Sequence, residues 1–347
     1  MKVVFGEPDK MFRLIGEALA PSDAGHKFLQ EFFLTESADP KALLRAWSEK
    51  RGVTNGIDVV HCDDPPNIGK WLADADVLVI ENQKIGADEL NGARSLQLIQ
   101  MFGRDTSNVD VGLCGQRGIA VHPLDRHTNR LVAEHVIMLM LALVRGFRES
   151  QVAMKQPSPL PPAGWAYNWP ACKNVRGLAG RVVGLLGLGQ TGSMVAEYLR
   201  PFGAKVIYTR RTRDRQVEEK LGLTYVGLDE LLATADVISL HVPANEQTTH
   251  LVDDDFLRRV KRGVMIVNTA RGTVIDEDAL LRALRNGTIG GAAMDVFPVE
   301  PLPLNHPFQS VENVILTPHV AAGTRDEAWL DLEIGPIIDS IIGVRVR

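Results

Sequence analysis

The segment Gly187-Leu188-Gly189-Gln190-Thr191-Gly192 follows the apolar run Arg181–Leu186 and precedes a helical pattern reaching Leu199. In a G-x-G-x-x-G at a strand-to-helix junction, the first glycine permits a tight turn. The second lets the backbone approach a pyrophosphate, and the third lets helix and strand pack closely. The helix N-terminus then presents unpaired N–H groups and partial positive charge to the phosphates. With this flanking pattern, Gly187, Gly189, Gln190, Thr191 and Gly192 read as a dinucleotide cradle. A glycine-rich turn of purely structural purpose is the alternative. The next strand ends at Thr209-Arg210-Arg211-Thr212-Arg213. An acid there would hydrogen-bond the ribose hydroxyls of NAD. No acid occurs before Asp214, and guanidinium groups suit a 2′-phosphate. Thr209, Arg210 and Arg211 therefore read as a cofactor-binding turn preferring NADP(H), with NAD(H) possible. If the strand continues, Arg211 points away from Arg210. A solvated basic turn is the competing reading.

Three later segments carry an arginine, two acids and a histidine. They are Val267-Asn268-Thr269-Ala270-Arg271-Gly272, Ala293-Met294-Asp295-Val296-Phe297-Pro298-Val299-Glu300-Pro301 and Leu316-Thr317-Pro318-His319-Val320-Ala321. Each follows a strand-like run, so each belongs at a strand's carboxyl end, where open α/β sheets bind ligands. Taken singly, Arg271 reads equally as a surface ion pair and His319 as a buried structural histidine.

The elements that must position these groups are legible as short β-branched runs alternating with helical patterns. One set of strands is Val3–Phe5, Ile57–Val60, Val77–Ile80, Leu96–Met101 and Ile119–Val121. A second is Val182–Leu186, Lys205–Tyr208, Val237–His241, Val264–Asn268, Ala292–Val296 and Val314–Leu316. Strands lacking inside/outside alternation and separated by helices indicate parallel sheets covered on both faces. The expected fold class is therefore α/β with two doubly wound, Rossmann-like units. Leu131–Val144 is apolar nearly all round, so it is a helix buried within its domain or in a dimer interface. Gln156–Asn174, rich in proline and carrying Trp165, Tyr167 and Trp169, reads as a long ordered loop.

Composition excludes several classes of function. The chain has 347 residues, 45% of them hydrophobic, and a net charge of -5 without a long Lys/Arg run. Nucleic-acid binding is not expected. Cys62, Cys114 and Cys172 lie far apart, and the nine histidines show no metal-binding spacing. That argues against a disulfide framework and a zinc site. The start MKVVFGEP reads as a strand and turn rather than a signal peptide. The longest apolar run, Val136–Val144, falls short of the ~20 residues a bilayer span needs. The expectation is a cytoplasmic protein.

Together with Asn108-Val109-Asp110 and Val132-Ala133-Glu134-His135, these segments resemble the D-isomer-specific 2-hydroxyacid dehydrogenase family, in its glyoxylate/hydroxypyruvate reductase branch. The resemblance runs from about residue 96 to 325. It implies an oxidoreductase moving a hydride between NAD(P)H and a small 2-oxo or D-2-hydroxy acid. Arg271 would hold the substrate carboxylate, His319 would be the acid/base, and Glu300 would pair with His319. Asp295 would bind the nicotinamide amide. His241, Val242, Pro243, Thr269, Ala270 and His319 would line the cofactor, and Gly103 and Arg104 the substrate. The resemblance also implies a substrate domain of residues 1–109 and 316–347 and a dinucleotide domain of 110–315. The active site would lie in the cleft between them, and the enzyme would be a homodimer with Leu131–Val144 near its interface.

Departures from the family pattern concentrate in the substrate domain. The usual Gly-x-Gly loop reads Gly103-Arg104-Asp105, and a carboxylate there repels an anionic substrate unless Arg104 offsets it. The usual N-x-P-x-x-N segment reads His122–Asn129, and Met11–Ala20, Lys27–Leu34 and Pro40–Arg51 look like added helices. Two other readings fit the same scaffold. Formate or phosphite oxidation is disfavoured by Glu300, where formate dehydrogenases carry Gln. A nicotinamide-sensing module like the C-terminal-binding co-repressors is disfavoured by the lack of a Pro/Ser-rich tail.

Overall fold

The computed structural model describes every residue except Ala24, 34–36, Ala38, 63–64, 156–174, 325–327 and 345–347. The aromatic loop expected over Gln156–Asn174, and Cys172 within it, lie outside the described residues. The chain divides into two compact units, Met1–His127 with Arg325–Arg347, and Thr128–Thr324.

Unit 1 begins with β1 (Lys2–Phe5), α1 (Lys10–Leu19), α2 (His26–Phe32), α3 (Pro40–Lys50), β2 (Asp58–His61) and β3 (Val77–Ile80). It continues with α4 (Ala87–Leu90), β4 (Leu98–Met101), α5 (Val111–Gln116) and β5 (Ala120–His122). All pairings are parallel and the strand order is β2-β1-β3-β4-β5. Successive residues of a strand face opposite sides of a sheet. Accordingly Val3, Phe5, Val77 and Val79 enter one core, and Val4, Leu78 and Ile80 another. Both faces are therefore covered, which is why these strands read as unbroken apolar runs.

Unit 2 opens with α6 (Thr128–Val144), α7 (Phe147–Ala153), β6 (Val182–Leu186), α8 (Gln190–Leu199), β7 (Lys205–Thr209) and α9 (Arg215–Leu221). Next come β8 (Thr224–Tyr225), α10 (Leu228–Thr234), β9 (Val237–Leu240), α11 (Asp254–Arg259), β10 (Val264–Asn268), α12 (Glu277–Arg285), β11 (Ile289–Met294) and β12 (Val314–Leu316). Its parallel order is β12-β11-β10-β9-β6-β7-β8. The same alternation sends Leu186, Ile238, Leu240 and Ile266 to one face and Val183, Leu185, Val237 and Val267 to the other. The expected helix over Leu131–Val144 exists as α6 and packs within unit 2 on Val183, Leu185 and Val267. Met138 remains 47% exposed on it.

Two boundaries differ from expectation. β5 pairs with β4, so the chain through His127 belongs to unit 1 rather than passing to the second domain at 110. β12 pairs with β11, so residues 316–324 stay in unit 2. The two-residue β8 was not expected, being too short to show a pattern. After it, α13 (Trp329–Glu333) and α14 (Gly335–Gly343) return to the core of unit 1 through Leu330, Ile334, Ile337, Ile338 and Ile341. Arg51 ties α3 to them by ion pairs to Asp331 at 2.6 Å and Asp339 at 2.8 Å. No described helix is long and apolar enough to cross a membrane. Cys62 and Cys114 are buried.

Ile338 is fully buried and Leu332 is 44% exposed on neighbouring helices. Ile338→Ala should lower unfolding stability by about 2–5 kcal/mol, and Leu332→Ala by no more than about 0.5 kcal/mol. Denaturant titration measures both, and equal effects would mean that α14 is not part of the core.

Candidate active site

The glycine segment is built as a cradle. Gly187 has φ +95, and a Cβ there would stand 2.4 Å from the His241 carbonyl oxygen. A Cβ on Gly192 would meet the Gly187 carbonyl at 3.1 Å and the His241 side chain at 3.5 Å. A Cβ on Gly189 would meet nothing within 4 Å, and no side chain caps α8 there. The first turn of α8 thus offers its N–H groups outward, and the residues fit a dinucleotide pyrophosphate. The Asn129 amide donates to Gln190 Oε1 at 2.7 Å. His241 continues β9, its N–H donating to the Leu186 carbonyl at 2.8 Å, and its Nε2 lies 3.0 Å from Ser239 Oγ. Val242 packs beside Gly187, while Pro243 is exposed.

The arginine turn differs from expectation. β7 stops at Thr209, so strand alternation does not orient Arg210 and Arg211. Arg210 Nη1 donates to the Leu188 carbonyl at 3.3 Å within the glycine loop and lies 3.7 Å from Asp214. Arg211 reaches Gln247 Oε1 at 3.3 Å. Arg213 is held by Glu218 through two bonds of 2.7 Å.

Arg271 sits on a turn shaped by Asn268, the last residue of β10 and fully buried. The Asn268 side chain accepts from the Ala270 N–H at 3.0 Å and donates to the Arg271 carbonyl at 2.9 Å. Thr269 and Ala270 are thereby fixed at the end of β10. A Cβ on Gly272 would fall 2.0 Å from the Phe297 carbonyl carbon, so only glycine lets this turn lie on the segment leading to Glu300. The exposed Arg271 guanidinium donates to the Ala270 carbonyl at 2.7 Å. No carboxylate among the described residues is within ion-pair distance of it.

His319 Nδ1 and Glu300 Oε2 are 2.6 Å apart. Glu300 Oε1 accepts from the Phe297 N–H at 2.9 Å. Burial pushes the Glu300 carboxyl up, but the bonds from His319 and Phe297 outweigh it and hold the group below its ordinary value. Above the ordinary carboxylate range Glu300 is thus an anion facing the imidazole, whose other nitrogen is left for chemistry. His319 has φ 54, a left-handed conformation unusual for a side-chain-bearing residue.

Residues 137–321 match the sequence profile described as D-isomer specific 2-hydroxyacid dehydrogenase, NAD binding domain. The chain belongs to this family. It is 34% identical to a glyoxylate reductase of Aeropyrum pernix over 85% of this chain and 87% of that one. It is 33% identical to a glyoxylate reductase of Korarchaeum cryptofilum over 78% and 81%. Among solved structures, a Granulicella formate dehydrogenase superposes with TM-score 0.61 at 29% identity, over 87% of this chain and 79% of that chain.

Two residues expected at a ligand also make bonds within the protein. Asp295 is fully buried. Its Oδ1 accepts from Thr317 Oγ1 at 2.6 Å and the Val320 N–H at 3.0 Å, and its Oδ2 from the Ala321 N–H at 2.9 Å. These bonds clamp the turn carrying His319. Arg104 pairs with both oxygens of Asp125, one bond at 2.7 Å. Asp105 accepts the Ser107 N–H at 2.9 Å. Gly103 keeps open space, and its carbonyl accepts the Leu124 N–H at 2.9 Å. Asn268, Thr317 and His135 lie in the segments that carry the resemblance, but no role was expected for them; His135 Nε2 lies 3.0 Å from Thr317 Oγ1. For Asn268 and Thr317 the available signal was a polar residue at the end of an apolar run.

Burial pushes the His241 imidazole down to about 4 from its ordinary 6.5. The ring is neutral beneath the glycine loop, so its contribution to stability is full above pH 6.5. It is lost progressively as pH falls toward 4. The thermal midpoint should fall over that window, and His241→Gln should flatten the slope. Identical slopes in both proteins would remove His241 as the source.

Proposed function

We propose that this dehydrogenase reduces a small 2-oxo acid of the glyoxylate or hydroxypyruvate type, preferring NADPH to NADH. The observation that carries the reading is the 2.6 Å Glu300–His319 bond beside the Arg271 turn packed on Phe297. The nicotinamide, when bound, supplies the hydride. Arg271, hydrogen-bonded to the neutral Ala270 carbonyl, grips the substrate carboxylate through two N–H···O bonds and so orients the carbonyl. His319 Nδ1 is engaged by Glu300, so Nε2 holds the proton given to the carbonyl oxygen and later recovered. Unit 2 would carry the dinucleotide and this triad. Glu300 disfavours the formate-type reaction.

We further propose a cytoplasmic homodimer. Exposed Met138, Phe147, Val152 and Met154 on and after α6 support the dimer, and the wide spacing of the three cysteines in the sequence suits a reducing compartment. The direct test of the activity is a panel of 2-oxo acids with NADPH and NADH. No turnover with any small 2-oxo acid would overturn the reading.

His319→Gln should lower kcat by roughly 10²–10⁴-fold while cofactor binding persists. Glu300→Gln, which removes the anion engaging His319 Nδ1, should also lower kcat while cofactor binding persists. An unaltered kcat would contradict the pairing.

The turn without an acid at Thr209 should favour NADPH in kcat/KM by about 10–150-fold, the worth of a charge-assisted bond to phosphate. Salt trims this figure. An NADH preference at equal ionic strength would reduce the arginine turn to a solvated face.

A further inference from the structure

The turn after β7 holds more arginine than one phosphate needs, and the structure divides the labour. Glu218, on α9, takes both Arg213 Nε and Nη2 at 2.7 Å. The Tyr208 hydroxyl donates to the same carboxylate at 2.8 Å. The Asp214 N–H reaches that hydroxyl at 3.3 Å. Tyr208 is fully buried, yet its hydroxyl is spent on the turn rather than on the sheet. Its ring meets Tyr225 edge-on at 5.5 Å, and the Arg213 guanidinium lies 5.4 Å over Tyr225. One carboxylate thus ties the last residues of β7, the far end of the turn and the first turns of α9.

Between these anchors stand Arg210 and Arg211. Their hydrogen bonds go to neutral groups, the Leu188 carbonyl in the glycine loop and the Gln247 side chain beyond β9. The nearest acid, Asp214, caps α9 through its Oδ1 on the Val217 N–H and keeps Oδ2 at 3.7 Å from Arg210. Arg213 is also bound to an acid that its own bonds, opposed by burial and aided by Tyr208, hold down at about 2. The acid is therefore ionised at neutral pH, and both of its oxygens hold Arg213.

We propose that Glu218, with Tyr208 and Arg213, is a positioning brace that presets Arg210 and Arg211 to receive a 2′-phosphoryl group. The brace sets cofactor selection without touching the cofactor. This rests on the NADPH reading above and adds the device that enforces it. An alternative use of the same residues makes the opposite prediction. If Arg213 were itself a phosphate ligand held in reserve, releasing it from Glu218 would strengthen binding.

Calorimetric titration with adenosine 2′,5′-bisphosphate and 5′-AMP separates the two without reference to turnover. Glu218→Gln, Arg213→Gln and Tyr208→Phe should each weaken the bisphosphate by ~3–10-fold. Affinity for 5′-AMP should move by less than about twofold, since the glycine cradle is intact. The double variant Glu218→Arg with Arg213→Glu, which keeps the pair reversed, should recover part of the loss. Tighter bisphosphate binding in Glu218→Gln overturns the proposal, as does equal weakening of both nucleotides or no change in either. Titrating the parent protein with NADPH and NADH tests the preference separately. If NADH binds more tightly but the variants still move the bisphosphate alone, the preference falls and the brace stands. If NADPH binds more tightly and the variants move nothing, the brace falls alone.

Discussion

The site depends on one buried carboxylate. Asp295 has no exposure, and an anion in that position costs several kcal/mol unless donors surround it. Its donors are the Thr317 hydroxyl and the N–H groups of Val320 and Ala321, all from the turn that carries His319. The carboxylate and the turn therefore stabilise each other, and His319 at φ 54 is the residue that absorbs the curvature. Such strain persists only where the surroundings over-determine it. Since the Thr317 proton goes to Asp295, the His135 Nε2 at 3.0 Å must be the donor to the Thr317 oxygen. Burial, opposed by Asp295, lowers the affinity of His135 for a second proton, in keeping with a neutral ring in that role.

Strand order explains how segments distant in sequence meet. β12, β11 and β10 are parallel neighbours at one side of the second sheet, and β9, β6 and β7 continue from them. All their carboxyl ends lie on one edge. The turns after β10, β11 and β12 thus carry Arg271, Glu300 and His319 side by side, and the turns after β6 and β7 carry the glycine cradle and the arginines. The turns after β10 and β6 are pinned by features that admit no ordinary substitute. Asn268 fills the turn after β10 with two side-chain bonds, Gly272 leaves room for Phe297, and Gly187 leaves room for the His241 carbonyl.

Much of this was legible in the sequence. Val77–Ile80, Val182–Leu186, Val264–Asn268 and Val314–Leu316 form strands over the expected residues. The added helices before β2 are present within a residue or two of their expected limits. Periodicity sees such elements because burial on both faces writes itself directly into composition. It does not see boundaries set by pairing. β5 reads like any apolar run, and only its hydrogen bonds to β4 place it in unit 1. Nor does it see side-chain commitments. Asp295, Arg104 and Arg213 carry the residue types expected at a ligand, but whether an oxygen or a guanidinium is already paired is settled in three dimensions.

That last distinction bears on how an anion site is assembled. Arg104 is matched by Asp125, Arg126 by Glu333 at 2.9 Å, Arg213 by Glu218 and Arg51 by two aspartates. A guanidinium so paired offers an incoming anion only the exchange of one carboxylate for another, which yields little net attraction. Arg271 and Arg211 bond to a carbonyl and an amide, and Arg210 to a carbonyl with an acid at 3.7 Å. At Arg271 and Arg211 an arriving carboxylate or phosphate therefore gains a charge-assisted bond by displacing a neutral partner, and at Arg210 it competes with an ion pair of 3.7 Å. The arginines fit to bind are thus set apart by their partners rather than by number or exposure. In this chain those partners leave Arg271 at the end of β10 and Arg210 and Arg211 at the end of β7 able to receive an anion.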